Sequence, residues 1–241
     1  MIENAVVIDN VTLHFPKQRS ALRIIIDAIK RRVARFTALQ NVSLEIKKGE
    51  VIGIIGKNGS GKSTLLRIIS GIYPPDGGRC LVAGKISLLA GLGTGFSEHQ
   101  TGRENALLYG SILGHDERTM GLKLPEIIEF NELGDFIDEP VRTYSSGMKA
   151  RLGLAVASAI HPDILLIDEV LGVGDPQFKE KSKRRILDLV KSTGTVVIVS
   201  HSFGLLTDIC DRLVFIHEGK IVDFGHPEDM IRLYYETTGK E

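Results

Sequence analysis

A glycine-rich stretch between a short apolar run and a helical pattern limits what this chain can fold into more than any other feature. Gly56-Lys57-Asn58-Gly59-Ser60-Gly61-Lys62-Ser63 matches G-x-x-x-x-G-K-[ST], follows the run 51–55 and opens the helical pattern 63–69. Glycines let such a loop turn sharply, so that several N–H groups point into one concavity, and the following helix adds its positive end. The stretch therefore predicts a phosphate-binding loop. The alternative is a glycine-rich turn that binds nothing.

The loop predicts a site for a nucleoside triphosphate with Mg²⁺. Lys62 is expected to reach the β- and γ-phosphates, and the Ser63 hydroxyl is expected to ligate Mg²⁺. The residues expected to bind the nucleotide here are Gly56, Asn58, Gly59, Ser60, Gly61, Lys62, Ser63 and Thr64.

The spacing of apolar residues predicts an α/β fold. The runs 51–55, 164–167 and 196–199 are continuous, as in strands buried on both faces of a parallel sheet, and helical patterns separate them. Residues 6–15 and 42–46 alternate partially, which is typical of half-exposed antiparallel strands. We expect one domain over residues 1–241, with an antiparallel β subdomain and a helical subdomain over about 98–160.

Composition excludes several classes of protein. Thirty basic and thirty acidic residues cancel, whereas a general nucleic-acid coat needs a basic surplus, so we expect no nucleic-acid partner. Two cysteines without a partner motif indicate a reduced, cytosolic setting. The chain begins without a signal-peptide pattern and contains no run of about eighteen apolar residues.

Polar residues follow two further buried strands. Asp168 and Glu169 end the run 164–167, and His201 follows the run 196–199. The carboxyl ends of such strands face the ligand crevice in doubly wound sheets. We therefore expect Asp168 to hold Mg²⁺, Glu169 to polarise the attacking water, and His201 to contact the γ-phosphate and that water. The alternatives are a solvated Asp-Glu loop and an exposed histidine.

These elements, together with Tyr144-Ser145-Ser146-Gly147-Met148 about twenty residues before Asp168, resemble the ABC-transporter ATPases over nearly the whole chain. The resemblance implies a P-loop NTPase (RecA-like) mixed sheet and ATP as the nucleotide. It also implies that Ser145, Ser146 and Gly147 open a helix that binds the γ-phosphate held by a second copy. Ser145 and Gly147 match the family signature, close to L-S-G-G-Q, while Tyr144, Ser146 and Met148 depart from it.

The same resemblance implies three further assignments. Asp175 is similar to the family residue that touches the opposite site of the dimer, and Phe15 to the aromatic residue that stacks on adenine. His14 is the less favoured choice for stacking. The family's metal-linking glutamine has no counterpart in 88–96, and Gln100 lies too far along the chain.

Several segments resemble ATPases that export O-antigen, capsule or teichoic acid. They are 93–96, 101–105, 130–147 and 168–175. The resemblance implies an ATP-hydrolysing subunit that binds a second copy of itself and separate transmembrane permease subunits. Its cargo would be a polysaccharide, lipid-linked, moving outward, and its place the cytoplasmic face of a bacterial inner membrane.

Residues 16–36 form an insertion between the first two strands. Apolar residues recur there at helical spacing, and seven basic residues oppose the single acid Asp27. A basic amphipathic helix can lie on an anionic membrane or against a partner, and the alternative is a surface helix with a solvated basic face.

Rival functions differ in what their sequences require. The strongest is an importer ATPase for a small solute. In DNA-repair ATPases of this family a long coiled coil separates the nucleotide motifs, whereas about eighty residues separate Ser63 from Tyr144 here. Translation-factor ATPases of the family carry two ATPase domains in one chain, and this sequence has the motifs of one. A non-enzymatic regulator would be expected to lose Lys62 or Glu169, and both are present.

Overall fold

The computed structural model describes residues 3–16, 35–93, 95–169 and 176–239. Almost all of the basic segment predicted at 16–36 lies outside these residues, as does Asp175. The strands are β1 (Asn4–Pro16), β2 (Arg35–Lys47), β3 (Val51–Ile55), β4 (Gly77–Val82), β5 (Ile86–Leu89), β6 (Ile164–Asp168), β7 (Thr195–Val199), β8 (Arg212–His217) and β9 (Lys220–Gly225). The α-helices are α1 (Lys62–Ile69), α2 (Gly102–Ile112), α3 (Glu117–Asn131), α4 (Ser146–Ser158), α5 (Pro176–Ser192), α6 (Phe203–Ile209) and α7 (Pro227–Thr238).

The chain divides into two compact units. The first contains residues 1–83 and 197–241, and the second contains residues 84–196.

An antiparallel sheet of order β2-β1-β4 occupies part of the first unit. Buried and exposed side chains alternate along much of β1 and β2, because one face of the sheet covers a core and the other faces solvent. The antiparallel pairing of the two strands predicted at 6–15 and 42–46 is confirmed, and both strands are longer than predicted.

Parallel and antiparallel pairs occur together in the rest of the first unit. Strand β3 pairs parallel to β8, and β8 pairs antiparallel to β9. The side chains of Ile52, Ile54 and Ile55 are buried on both faces of β3, as the continuous apolar run predicts. Helix α1 follows β3 after the glycine-rich loop and buries Leu65, Leu66, Ile68 and Ile69.

The second unit combines a parallel strand pair with a group of helices. Strands β5 and β6 run parallel from the pair Ile86–Ile164 to the pair Leu89–Ile167. The middle of the chain is mostly helical, as predicted, and contains α2, α3 and two 3₁₀ turns at Gly134–Asp138 and Val141–Thr143. No helix in the described part of the chain has the length and hydropathy needed to cross a bilayer.

Candidate functional site

The glycine-rich loop joins β3 to α1 in the first unit, where the sequence predicts it. Gly59 and Gly61 have φ angles of 79° and 111°, in the left-handed region that glycine adopts without strain. Gly61 occupies the cap position of α1 in that conformation. The helix therefore begins at Lys62, and its N-terminal N–H groups face the turn of the loop.

Close packing fixes the loop against the rest of the unit. A Cβ on Gly61 would lie 2.7 Å from Leu39 Cδ2 and 2.8 Å from the Ala38 carbonyl oxygen. The Gly219 N–H, in the β8–β9 turn, donates to the Ser60 carbonyl at 2.9 Å. Strand β2 and this turn thus hold the loop from two directions.

The Lys62 side chain lies within the loop instead of extending into solvent. Only 5% of Lys62 is exposed, and its ammonium donates to the carbonyl oxygens of Gly56 at 2.7 Å and Lys57 at 3.0 Å. A buried cation needs such partners, since desolvation is costly. The ammonium is thereby held within the glycine-rich loop, next to the start of α1, a position suited to an anion with several negative oxygens.

Phe15 lies near the end of β1, where contacts of Phe15 and of its neighbour His14 hold the strand. Its ring meets the ring of Tyr73 edge-on, with centroids 5.4 Å apart. The adjacent His14 donates its backbone N–H to Asp76 Oδ2 at 2.6 Å, and its ring Nδ1 lies 3.1 Å from the same oxygen. This backbone hydrogen bond is the main reason that the pKa of Asp76 lies below its ordinary value. The end of β1 is therefore pinned to the segment that leads into β4.

The acidic pair follows β6, in the second unit. Asp168 ends the strand and is half-buried, while Glu169 is exposed with a φ of 57°. A left-handed φ is uncommon for a residue with a Cβ and is frequent at functional sites. His201, in the first unit, follows β7 and is exposed.

The signature segment begins α4, which starts at Ser146. Ser145 caps the helix, since its Oγ accepts the Met148 N–H at 3.2 Å. Ser146 is exposed and Gly147 half-exposed, so the positive end of a 13-residue helix is accessible to an anion.

Tyr144, one of the residues that depart from the family signature, anchors the segment that leads into α4. Its hydroxyl donates to the carbonyl of Phe136, and a Cβ on Gly102 would lie 2.2 Å from that hydroxyl. Burial raises the pKa of Tyr144 to about 12. The sequence gives no signal for this anchor, because its partners lie eight and forty-two residues away.

Around the signature, the second unit has a cleft of about 700 Å³. Its lining residues are Glu132, Leu133, Phe136, Ser145, Ser146, Gly147, Met148 and Arg151. The Arg151 guanidinium stacks on the Phe178 ring at 4.4 Å and lies 3.8 Å from Glu132. Both aromatic stacking and a carboxylate thus orient this cation at the cleft.

Residues 98–100, which follow the stretch 88–96, are tied by hydrogen bonds to the 3₁₀ turn that precedes the signature segment. The Val141 N–H donates to the Gln100 carbonyl at 2.9 Å, and the Arg142 N–H donates to the Glu98 carbonyl at 3.0 Å. Asn105, fully buried, holds the same segment through the backbone of residues 97, 100 and 101. One signal was available in the sequence, since Thr101 and Glu104 form a capping box at the start of α2.

Comparison with known proteins assigns the family. A family model described as "ABC transporter" matches residues 39–172, more than half of the chain. The chain belongs to the ABC transporter family. The resemblance inferred from the phosphate loop, the acidic pair and the signature is therefore confirmed.

Named relatives of this ABC transporter chain include export proteins. The O-antigen export system ATP-binding protein RfbB of Myxococcus xanthus is 47% identical over 206 residues, covering 86% of this chain and 47% of the relative. The teichoic acids export ATP-binding protein TagH of Enterococcus faecalis is 43% identical over 213 residues, covering 88% and 47%. RfbB of Klebsiella pneumoniae is 42% identical over 200 residues, covering 83% and 81%. The chain thus spans about half the length of the first two relatives, and its likeness to polysaccharide exporters is confirmed.

A solved structure establishes the fold of this ABC transporter chain. The post-hydrolysis dimer of the ATP-binding cassette MJ0796, bound to ADP and Pi, matches with a TM-score of 0.71 and 23% identity, covering 92% of this chain and 98% of that one. The predicted α/β class, with an antiparallel β subdomain and helices, is confirmed.

Proposed function

We propose that this chain is the ATP-hydrolysing subunit of an ABC exporter that moves a polysaccharide outward across a bacterial inner membrane. The cargo is a lipid-linked O-antigen, capsule or teichoic acid. The observation that carries the proposal is the 42–47% identity to O-antigen and teichoic acid export proteins over more than four fifths of the chain.

The phosphate loop supplies the triphosphate site. Loop N–H groups and the start of α1 bind the phosphate oxygens, and the contacting residues are Gly56, Asn58, Gly59, Ser60, Gly61, Lys62, Ser63 and Thr64. The Lys62 ammonium exchanges its hydrogen bonds to the Gly56 and Lys57 carbonyls for the β- and γ-phosphates. Because the loop already orients these donors, they stabilise the charge that builds up during phosphoryl transfer.

The family implies Mg²⁺, and the donor set of this chain fits it. The Ser63 hydroxyl and the Asp168 carboxylate are hard oxygen ligands, and both residues are only partly buried. Mg²⁺ takes one or two protein oxygens together with substrate phosphate and water. When bound, the ion neutralises charge on the β- and γ-phosphates.

Glu169 acts as the general base in hydrolysis. Its exposed carboxylate accepts a hydrogen bond from the attacking water and thereby orients and polarises it. His201 contacts the γ-phosphate and the same water. Both residues follow buried strands, whose rigidity limits the loss of alignment during the reaction.

Two copies close around two nucleotides, and each signature helix completes the site of the other copy. Ser145, Ser146 and Gly147 direct the positive end of α4 at the γ-phosphate, and Asp175 touches the opposite site. Closure favours ATP over ADP because hydrolysis removes the bridging phosphate.

The chain functions as one ABC ATPase domain over residues 1–241, with a helical subdomain over about 98–160. It works at the cytoplasmic face of the inner membrane, as a peripheral subunit on separate permease subunits, and handles no nucleic acid. Phe15 stacks on the adenine ring, and the basic amphipathic segment 16–36 faces the membrane or the permease.

A deletion strain tests this function. Removing the gene for this chain from its bacterium should abolish the surface polysaccharide and leave its lipid-linked precursor inside, as measured by surface labelling and extraction of the precursor. The wild-type gene should restore the surface glycan, and the Lys62→Ala variant should not. A normal surface glycan together with a lost capacity to take up a solute would instead identify an importer.

A further inference from the structure

Two phenylalanines share one face of the antiparallel sheet of the first unit. In the β1–β2 register Phe15 lies opposite Phe36, and Leu13 lies opposite Leu39. The register shifts between these two pairs, since His14 lies opposite Thr37 and Ala38 is the additional residue. Phe15 is two residues beyond Leu13 on a regular strand and therefore lies on the same face, and paired residues share a face. The bulge thus places Phe36 beside Phe15.

That face is the one that meets the phosphate loop. Leu39 Cδ2 is the nearest atom that a Cβ on Gly61 would meet, at 2.7 Å. Phe36 lies two to three strand positions from Leu39, or about 7–10 Å at 3.3 Å per residue. A nucleotide whose phosphates occupy the loop therefore has its base within reach of this pair of rings.

The two rings differ in how they are held. Phe15 is half-buried against Tyr73, which follows α1 and lies under the Arg67 guanidinium, 5.8 Å from the ring centre. Phe36 remains 50% exposed at the start of β2. An exposed phenylalanine beside a fixed aromatic ring offers apolar area that a flat ligand can cover.

We propose that Phe36 is a second base-contacting residue, which forms with Phe15 an aromatic surface for the purine of the bound nucleotide. This inference rests on the proposed nucleotide binding at the loop. It adds a contact that sequence reasoning missed, because the bulge that aligns the two rings has no signature in the sequence. Stacking on a phenyl ring depends on the π-face of the base, so the pair contributes affinity for a base in addition to the phosphate contacts.

A tryptophan reporter tests the contact directly, because the chain contains no tryptophan. Phe36→Trp places a single indole on the proposed surface. ATP and ADP should quench or shift its fluorescence, and inorganic tripolyphosphate, which has no base, should not. Phe224→Trp is the matched control, since Phe224 is also 50% exposed, in the same unit on β9, and should not respond to any of these ligands.

Truncation gives an independent readout. Phe36→Ala should weaken ATP binding on the order of tenfold and leave tripolyphosphate binding unchanged, whereas Phe224→Ala should change neither. Equal weakening for both ligands would assign Phe36 a merely structural role and overturn the inference.

The outcomes separate the inference from the proposed function. A silent Phe36→Trp reporter in a protein that still binds a fluorescent ATP analogue through Lys62 overturns the Phe36 contact alone. Failure of the wild-type chain to bind any triphosphate overturns the proposed function, and the Phe36 contact with it.

Discussion

The phosphate loop and the signature segment present the start of a helix to an anion in different ways. In the loop the turn itself comes from the nearby sequence, through glycines at positive φ and a lysine bonded to carbonyls five and six residues away, while β2 and the β8–β9 turn hold it in place. In the signature segment Ser145 supplies a local cap, and more distant residues hold the segment in place, since Tyr144 reaches Phe136 and Gly102 and the preceding Val141 bonds to Gln100.

This difference is consistent with the two sequences: the phosphate loop matches its motif at every specified position, whereas the signature segment departs from the family signature at Tyr144, Ser146 and Met148. A locally determined loop loses its function when one glycine or the lysine changes. A helix start held by surrounding contacts tolerates new residues as long as its cap and its anchor remain. Substitutions in the two regions should therefore fail differently.

Lys62→Ala should have the largest effect and should act on the loop alone. Removing the ammonium should lower ATP turnover on the order of 10³-fold, because a preorganised cation beside the transferred phosphoryl group is lost. Phosphate release at saturating ATP measures the loss. Lys48→Ala, at an exposed turn, is the control, and turnover near the wild-type rate in Lys62→Ala would refute the role.

Glu169→Gln should separate nucleotide binding from hydrolysis. Binding of ATP should persist while turnover falls on the order of 10²-fold or more, since the amide cannot take up the proton of the attacking water. Long-lived dimers should appear by size-exclusion chromatography with ATP. Glu129→Gln, exposed on α3, should behave as wild type, and parental hydrolysis by Glu169→Gln would exclude Glu169 as the base.

Substitutions at Ser145 sharpen the comparison, because they separate capping from anion binding. Ser145→Ala removes the cap on Met148 and should cost about 1 kcal/mol, or about 2–4 °C in the thermal midpoint. Ser145→Asp keeps a capping oxygen and should stay near wild-type stability, yet its charge opposes the γ-phosphate. Both should lose ATP-dependent dimers and still bind ATP as monomers, as shown by sizing and by titration. Dimers formed normally by Ser145→Asp would contradict a phosphate contact at this position.

Tyr144→Phe should have the smallest effect on turnover and a visible effect on stability. The lost hydrogen bond to the Phe136 carbonyl should lower the free energy of unfolding by about 1 kcal/mol, the typical net contribution of one such bond, because the carbonyl keeps its second donor, the Glu139 N–H at 2.9 Å. Chemical denaturation measures the change. Unaltered stability would show that the ring, and not the hydroxyl, holds the segment.

Tyr144→Phe should also change how the free energy of unfolding depends on pH in the alkaline range. With a pKa of about 12 in the fold against 10 for a free tyrosine, Tyr144 keeps its proton in the native state while the unfolded state releases it. The contribution of the Tyr144 hydroxyl to the free energy of unfolding is therefore fully present below about pH 10 and is lost as the pH rises from about 10 to about 12. Tyr144→Phe should flatten the decline over this interval, while Cys210, whose pKa burial raises to about 12, contributes equally to both proteins.

Sequence reasoning predicted the elements that short-range patterns determine. The β3–loop–α1 unit, the paired strands β1 and β2, and the buried strands β6 and β7 all follow from glycine positions and apolar periodicity. The capping Ser145 was expected as a residue that opens a helix. The roles of the individual site residues stay predictions until variants are measured.

Three features escaped sequence reasoning because they depend on contacts between distant parts of the chain. The bulge at Ala38 appears only once β1 and β2 are paired, and it alone brings Phe36 beside Phe15. The partners of Tyr144 and the hydrogen bonds of Asn105 likewise join segments that no periodicity relates. Such features belong to packing, which local patterns do not encode.

The glycine in the middle of α4 reverses a familiar rule of protein engineering. Replacing a mid-helix glycine by alanine ordinarily stabilises a helix by about 1 kcal/mol. At Gly153, however, the added methyl would lie 2.5 Å from the Gly93 nitrogen and 3.0 Å from the Leu92 carbonyl carbon. The backbone of the loop cannot yield as a flexible side chain would, so alanine there would wedge the helix away from its neighbour. Saturation mutagenesis of Gly153, with selection for folded protein, should recover only the smallest residues at this position, whatever their helix propensity.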